Sequence, residues 1–523
     1  SCHFLQAAGL NILVDCGMEQ GNDVYENQEL PVVASDVDCI LLTHAHIDHS
    51  GLIPLMYVNG FRGQVYSTSA TAQLCEIMLR DSAHIQMFEA EWRNRKAARS
   101  GGKLKEFVPL YDMDAAVNVC KQFVGCEYDR VYDIAEGIKI RFTDVGHLLG
   151  SASIEVWATE KTENGDVTEK IVFSGDIGNI NKPIIKDPKH VRDADYVVME
   201  STYGNRSHGG TPNYVEDLTD IFKRTFERGG NVVIPSFAVG RTQELLYIIR
   251  KIKEDNLVGR DFDVYMDSPL AIEATNIFIK NVESCFDDEA VELVRKGINP
   301  LSFPGLKYAT TGDESKQINF DPNPKVIISS SGMCEAGRIR HHLKHNLWRP
   351  ECTIVFVGYQ AVGTTGRIIV DGAEEIKLFG EPIQIKAEIV QLKGSSGHAD
   401  KDGLLCWINA FDRKPKKVFV VHGEDSVCDE FTECLKEEYG YDAMAPYTGG
   451  SYDLIADRVI SEDVKERKTR RTTSTQRGKT VFDRLVAAGK RLMTVITHNE
   501  GGTNKDLAKF TDQINALCDK WDR

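Results

Sequence analysis

Short apolar runs that end on a polar residue inside a glycine-containing turn recur through the first part of the chain. Ile12, Leu13 and Val14 lead to Asp15; Ile40, Leu41 and Leu42 lead to His44. The stretches GIKIRFTDVGHLLGSASIEVWA, EKIVFSGDIGN and DYVVMESTYGN carry His147, Asp176 and Glu200 in the same way. Runs of this length and alternation predict strands. Strand ends are where a rigid sheet presents functional groups on loops. Between them, residues 70–98 have helical spacing, with Leu74, Ile77, Met78 and Met87 set for a buried stripe, and a loop holding RSGG follows.

From about Gly204 to Gly380 the pattern becomes an alternation of strands and helices. GNVVIPSF predicts a strand that breaks at Pro235, and GRTQELLYIIRKI a helix with a Leu245, Ile248, Ile249, Ile252 face. VYMDSPLA, KVIISSSGM and CTIVFVGYQ read as further buried strands, and RIRHHLKHNLW as an amphipathic helix. This is the texture of a separate α/β domain. Strand texture returns with IQIKAEIVQL and yields two more polar ends, GSSGHAD and KVFVVHGE. The expected organisation is a first domain over 1–203, an inserted domain over 204–382, the first domain resumed over 383–455, and a tail over 456–523. In the tail, KERKTRRTTSTQRGK reads as a polar, basic linker and VFDRLVAAGKRL as a short helix. The closing helix places Leu507, Phe510, Ile514, Leu517 and Trp521 on one face, with Thr503 as N-cap.

Composition narrows the class. A chain of 523 residues with a formal charge of −16 is long enough for two or three domains and has no general attraction for polyanions or anionic membranes. Thirteen cysteines, an odd number without a CxxC pair, read as free thiols in a reducing compartment. No apolar stretch resembles a transmembrane span and no signal peptide is visible. These readings point to the cytoplasm, with the nucleus as the alternative.

The chemistry concentrates in LLTHAHIDHSG, where His44, His46, Asp48 and His49 crowd six positions. One such histidine could be a satisfied polar residue; three each need their own partners. Imidazoles and carboxylates gathered together suit a metal. With the strand-end groups His147, Asp176 and His422 there are seven donors, enough for two ions about 3.5–4 Å apart bridged by a carboxylate and a hydroxide. Zinc suits this nitrogen and oxygen mixture; manganese or iron would also accept it. Taken singly, Gly146-His147, Gly175-Asp176 and Glu200 each read as turn residues.

THAHIDHSG resembles the signature of the metallo-β-lactamase fold hydrolases, and the later elements resemble their β-CASP subgroup of RNA-processing nucleases, which includes the pre-mRNA 3′-end processing endonuclease and bacterial RNA-metabolising enzymes. The matching features are Glu200 in VVMESTYG, the Gly394, Ser396, Gly397, His398 pattern, and His422, and the likeness runs from residue 1 to about 455. It implies a four-layer αββα sandwich with an inserted α/β domain. It further implies that His44, His46 and His147 hold one zinc, that Asp48, His49 and His422 hold the other, and that Asp176 bridges them. Asp15 would orient ligand histidines from behind. Hydrolysis would use a hydroxide held between the two zinc ions, with Asp48 in the reaction centre and His398, backed by Glu200, as general acid.

The inserted domain would cover the metals and supply phosphate contacts from Ser236 and Arg241, from Ser330, Ser331 and Gly332 ahead of a helix, and from Thr364, Thr365 and Arg367. Ser396 is the position best set to touch the scissile phosphate. Single-stranded RNA is the expected substrate, cut internally. In this resemblance, DNA-processing relatives lack a histidine at the position of His422, and hydrolases of small esters lack such a cap. A 5′-exoribonuclease, a DNA nuclease, a small phosphoester hydrolase and a non-catalytic RNA-processing subunit are the competing readings; the last would have lost ligands that this chain keeps. Lys465, Arg467, Lys468, Arg470 and Arg471 could attract RNA but read first as an exposed loop. A second copy of the chain and processing-complex subunits are the protein partners left open.

Overall fold

The computed structural model describes residues 1–19, 32–99, 107–209, 213–392, 396–461 and 481–521. Gly394, most of the RSGG loop and the basic run at 465–471 lie outside the described residues.

The predicted opening strands form. His3–Ala7 pairs antiparallel with Leu10–Val14, and Cys39–Leu41, Gln64–Thr68 and Phe123–Cys126 continue parallel to it as a five-stranded sheet. A second sheet of seven strands runs in the order Ala443–Met444, Lys417–Val421, Tyr196–Glu200, Gly165–Phe173, Ala152–Thr162, Ile138–Asp144, Val131–Ala135. Side chains alternate across both sheets because the strand period is two. Ile12, Val14, Cys39 and Leu41 meet Ile140, Phe142, Ile154, Ile171 and Phe173 between the sheets. Leu13, Ile40 and Leu42 face outward onto Met56, Leu74 and Ile77 of the helices Ile53–Val58 and Ser69–Arg99. Val172, Val197, Met199 and Val418 face Leu404, Trp407, Phe431 and Leu435 of Lys401–Ile408 and Asp425–Glu437. Each of these buried aliphatic side chains contributes roughly 1.5–3 kcal/mol. The result is a helix–sheet–sheet–helix sandwich.

The insert is built on a six-stranded, wholly parallel sheet in the order Leu306–Tyr308, Asp263–Asp267, Lys325–Ser329, Val232–Pro235, Thr353–Val357, Glu388–Leu392. Its strands are apolar on both faces, as helix-covered parallel strands must be. Val233, Ile327 and Ile354 pack on Ile339 and Leu343. Val232, Ile234 and Ile328 pack on Leu245 and Ile249, in a cluster continuous with the helical side of the five-stranded sheet.

Three expectations differ from what is observed. Glu388–Leu392 falls in the stretch assigned to the resumed first domain from residue 383, yet it pairs parallel with Thr353–Val357 in the insert's sheet. Apolar alternation identifies a strand but not the sheet that it joins. Met87 lies 41% exposed because the helix Ser69–Arg99 outruns the core that its first half covers. The helix expected over VFDRLVAAGKRL continues to span Val481–His498, as neither glycine nor proline lies between Leu492 and Gly501. The helix Asn504–Trp521 forms with Thr503 accepting from the Asp506 amide, but none of its residues is buried, and Leu517 and Trp521 are exposed. Among the described residues, no helix is long and apolar enough to cross a membrane.

Candidate metal centre

The strands that carry the predicted donors end on one edge. Ile138–Asp144 and Gly165–Phe173 both run antiparallel to the strand between them, and Tyr196–Glu200 and Lys417–Val421 run parallel to the latter. Their C-terminal ends therefore deliver His147, Asp176, Glu200 and His422 together, while the first sheet delivers Asp15 and the His44–His49 loop. Asp15, His147 and His422 adopt left-handed backbone with φ of 60°, 62° and 52°. Such a conformation costs roughly 1–3 kcal/mol per non-glycine residue and persists where surrounding structure enforces it. Two close approaches hold the loops. A Cβ on Gly17 would lie 1.6 Å from the Asp48 carbonyl oxygen, and one on Gly178 would lie 2.1 Å from the His147 amide.

All seven donors converge. His46 Nδ1 lies 3.1 Å from both His44 Nε2 and His147 Nε2. Asp176 Oδ2 lies 3.3 Å from His44 Nε2 and 3.5 Å from His147 Nε2. Its other oxygen, Oδ1, lies 3.2 Å from His49 Nε2 and 3.4 Å from His422 Nε2. Asp48 Oδ2 completes the second group at 3.9 Å from His422 Nε2. Ligand atoms at 2.0–2.1 Å from a tetrahedral zinc stand about 3.3–3.4 Å from one another, so these spacings fit an ion in each group. Among the described residues, Asp176 Oδ1 and His49 Nε2 are buried with no hydrogen-bond partner. The His44, His46, His147, Asp176 group and the Asp48, His49, His422 group thus form two metal-binding clusters of the kind a dizinc site needs.

The supporting hydrogen bonds fix which ring nitrogen faces inward. His49 Nδ1 donates to Asp15 Oδ2 at 2.7 Å, leaving Nε2 toward Asp176. His44 Nδ1 lies 3.0 Å from the Thr43 hydroxyl, which donates to Asp15 at 2.9 Å, and the Thr43 amide donates to the other Asp15 oxygen. Burial presses His46 down to about 3 and lowers His147 well below the ordinary histidine range, so both present lone pairs. Burial opposes charge on His49 too, but Asp176 and Asp15 outweigh it and raise it to about 10.

Beside the two groups stands a third, Asp176, Glu200 and His398. His398 Nδ1 lies 3.0 Å from Glu200 Oε2, and Glu200 is buried and held by the Ile177 amide. His398 Nε2 points toward Asp176 Oδ2 at 3.9 Å. Burial works against its charge, yet Glu200 and Asp176 raise it to about 9. An imidazolium at this position could donate a proton into the space beside the two ligand groups. The adjacent helix Lys401–Ile408 is capped by Asp400, whose carboxylate accepts from the Gly403 amide.

The expected phosphate contacts fare unevenly. Ser396 accepts from the His398 amide at 3.1 Å, placing its hydroxyl beside that ring's backbone. Ser236 is buried and bonded to Thr242 and the Phe237 carbonyl. Arg241 donates to Glu244, which also receives Lys182 at 2.5 Å. Ser331 Oγ is buried without a partner and Gly332 is buried, but the next helix begins only at Ile339, so no helix N-terminus stands behind them. Arg367 donates to both Asp371 oxygens at 2.8 Å on its own helix. Thr43 and His208 escaped the sequence reading. Thr43 adjoins the histidine cluster, and His208 Nε2 lies 3.2 Å from the His398 carbonyl, in the loop after Glu200.

Three family models match the chain: the metallo-β-lactamase superfamily domain over residues 4–179, the β-CASP domain over 242–369, and the zinc-dependent metallo-hydrolase RNA specificity domain over 382–446. A ribonuclease of Thermus thermophilus is 34% identical over 81% of this chain and 90% of its own length. A transcription termination factor FttA of Methanosarcina mazei is 32% identical over 85% of this chain and 68% of its own length. An RNase J-like protein of Methanocaldococcus jannaschii is 31% identical over 81% of this chain and 89% of its own length. On these matches, and on the sandwich with its inserted domain, the chain belongs to the β-CASP family of metallo-β-lactamase-fold RNA-processing nucleases.

Proposed function

We propose that the chain is a zinc-dependent endoribonuclease that hydrolyses phosphodiester bonds of single-stranded RNA. The observation that carries this reading is the His398–Glu200 pair, set 3.0 Å apart beside two ligand groups that share Asp176. His44, His46 and His147 would hold one ion, Asp48, His49 and His422 the other, and Asp176 would give one oxygen to each. Zinc, when bound, supplies Lewis acidity toward the phosphodiester and makes water a nucleophile near neutral pH.

The chain's own groups do the rest. Asp15 and Thr43 hold the inward nitrogens of His49 and His44 in place. His398 keeps its proton through the facing Glu200 carboxylate and delivers it from Nε2 to the departing ribose oxygen. Ser396 steadies the scissile phosphate and Ser331 and Gly332 of the insert offer further polar contacts, while Ser236, Arg241 and Arg367 hold their own loops. The chain divides into 1–203, 204–382, 383–455 and 456–523, with Glu388–Leu392 belonging to the insert's sheet. A cytoplasmic place fits the thirteen cysteines, and the tail helices would meet a second copy or processing-complex subunits.

Cleavage of RNA labelled at the 5′ end or the 3′ end tests the proposal. Internal fragments from both labels are expected from the zinc-loaded protein. Mononucleotides released from the 5′ end alone would make it an exoribonuclease. No cleavage of RNA, with turnover of DNA or of a small phosphoester, would overturn the substrate class.

A further inference from the structure

The insert's sheet is wholly parallel, so its loops after Val232–Pro235, Lys325–Ser329 and Thr353–Val357 leave from one edge. The chain begins at Val232–Pro235, builds strands to one side, returns at Lys325–Ser329, and then crosses to Thr353–Val357 on the other side. Loops diverge at such a reversal, and ligands of open parallel sheets bind there. Two large aromatic side chains stand on these loops in solvent, Phe237 at 49% exposure and Tyr359 at 56%. Among the described residues, no aromatic or cationic partner covers either ring.

The loops that carry them meet at Gly332. A Cβ at that position would sit 3.1 Å from Phe237 Cδ2, so the ring rests on bare backbone. Gln360, next to Tyr359, donates to the Gly332 carbonyl at 3.2 Å. The same edge adjoins the metal centre. A Cβ on Gly240 would meet Leu148, the neighbour of His147, at 3.1 Å. Glu388–Leu392, the last strand of this sheet, leads to Ser396 and His398.

We infer that Phe237 and Tyr359 are a stacking platform for unpaired bases of the RNA strand on its way to the metal centre. The inference rests on the RNA reading above. A base offers each ring the flat apolar partner that the chain does not supply, and stacking of this kind tolerates any sequence. Gly332, lacking a side chain, leaves room for the Phe237 ring to lie against its backbone.

The test uses RNA oligonucleotides that each carry one abasic site at successive positions around the cleaved bond, cut by zinc-loaded wild type, Phe237→Ala and Tyr359→Ala. For wild type, kcat/KM should fall roughly tenfold to a hundredfold when the abasic site occupies the register of a ring and stay level elsewhere. Each variant should lose about as much on intact RNA and show no further loss for the abasic site at its own register. Phe237→Trp and Tyr359→Phe should restore both the rate and the abasic profile. Variants that cleave intact RNA at the wild-type rate, or that lose rate while keeping the wild-type abasic profile, would overturn the platform. Absence of RNA cleavage by wild type would instead remove the substrate reading beneath it. Zinc content and melting temperature confirm that each variant is folded. Should Phe237→Ala lose zinc, Phe237→Leu and Tyr359→Ala carry the same comparison.

Discussion

Asp176 and Asp267 are both buried carboxylates at or just past the C-terminal ends of strands, and both face histidine Nε2 atoms. Asp267, in the insert, is saturated by donors. His342 Nε2 and Arg338 Nη1 reach it at 2.6 Å each, and Ser315 Oγ at 2.5 Å. Asp176 has four Nε2 atoms at 3.2 to 3.5 Å instead, and its Oδ1 has no hydrogen bond among the described residues. Burial opposes ionisation of Asp176, and the surrounding His422, His49 and His44 hold it well below the usual carboxylate range. Yet burial also drives His422, His46 and His147 toward the neutral form. A buried carboxylate oxygen left without a hydrogen-bond donor calls for a cation; a carboxylate ringed by N–H and O–H donors is complete. Charge and histidine content alone do not separate a structural ion pair from a metal site. Which atoms remain unsatisfied does.

That distinction can be broken by mutation. The largest effect on turnover without loss of metal should come from His398→Ala. Loss of a general acid slows cleavage by about 10²–10⁴-fold, while zinc content and melting temperature stay near wild type because His398 lies outside both ligand groups. Adding Glu200→Gln to it should cost little more if Glu200 acts through that ring. Single-turnover cleavage and elemental analysis on one preparation decide this; near-normal cleavage by the folded variant would exclude the role.

Asp267→Asn should do the reverse: keep both zinc ions and lower unfolding stability by about 3 kcal/mol, because the Arg338 and His342 donors lose their anion. Burial opposes its charge, but His342, Ser315 and Arg338 hold Asp267 below the ordinary carboxylate range. Its contribution is therefore present above that range and lost as pH falls through the lower folded value. The stability gap between wild type and variant should narrow below about pH 4, read from urea midpoints across pH.

The smallest effect is expected from Asp15→Ala, which removes the acceptor behind His49 but leaves all seven donors. Zinc affinity at that cluster should fall about 10–100-fold in chelator competition. Unchanged affinity would reduce Asp15 to a partner of the Thr43 amide.

Much of this site is legible in the sequence because strand ends, glycine turns and a histidine-rich loop are local signals. His44, His46, Asp48 and His49 declare themselves within six residues, and the strand-end residues, turn residues when read singly, gain weight from that cluster. What a one-dimensional pattern does not carry is pairing between distant segments. Glu388–Leu392 reads as a strand of the outer domain until Thr353–Val357 claims it. Met87 fits the helical stripe of Leu74 and Ile77, but a stripe does not say where the core stops. Arg367 looks like a phosphate fork until Asp371, one turn on, is seen to hold it. Thr43 and His208 matter through bonds to Asp15 and to the His398 backbone, and only the fold brings those partners within reach.

The central claim is that Asp176 is left unsatisfied by protein because it divides its two oxygens between two metal ions. Elemental analysis of wild type, Asp176→Asn and Asp267→Asn after mild purification and zinc addition measures this directly. The account predicts close to two zinc per chain for wild type and Asp267→Asn, with both sites lost together in Asp176→Asn. A wild type that stays at or below one zinc, or an Asp176→Asn variant that keeps two, would contradict it.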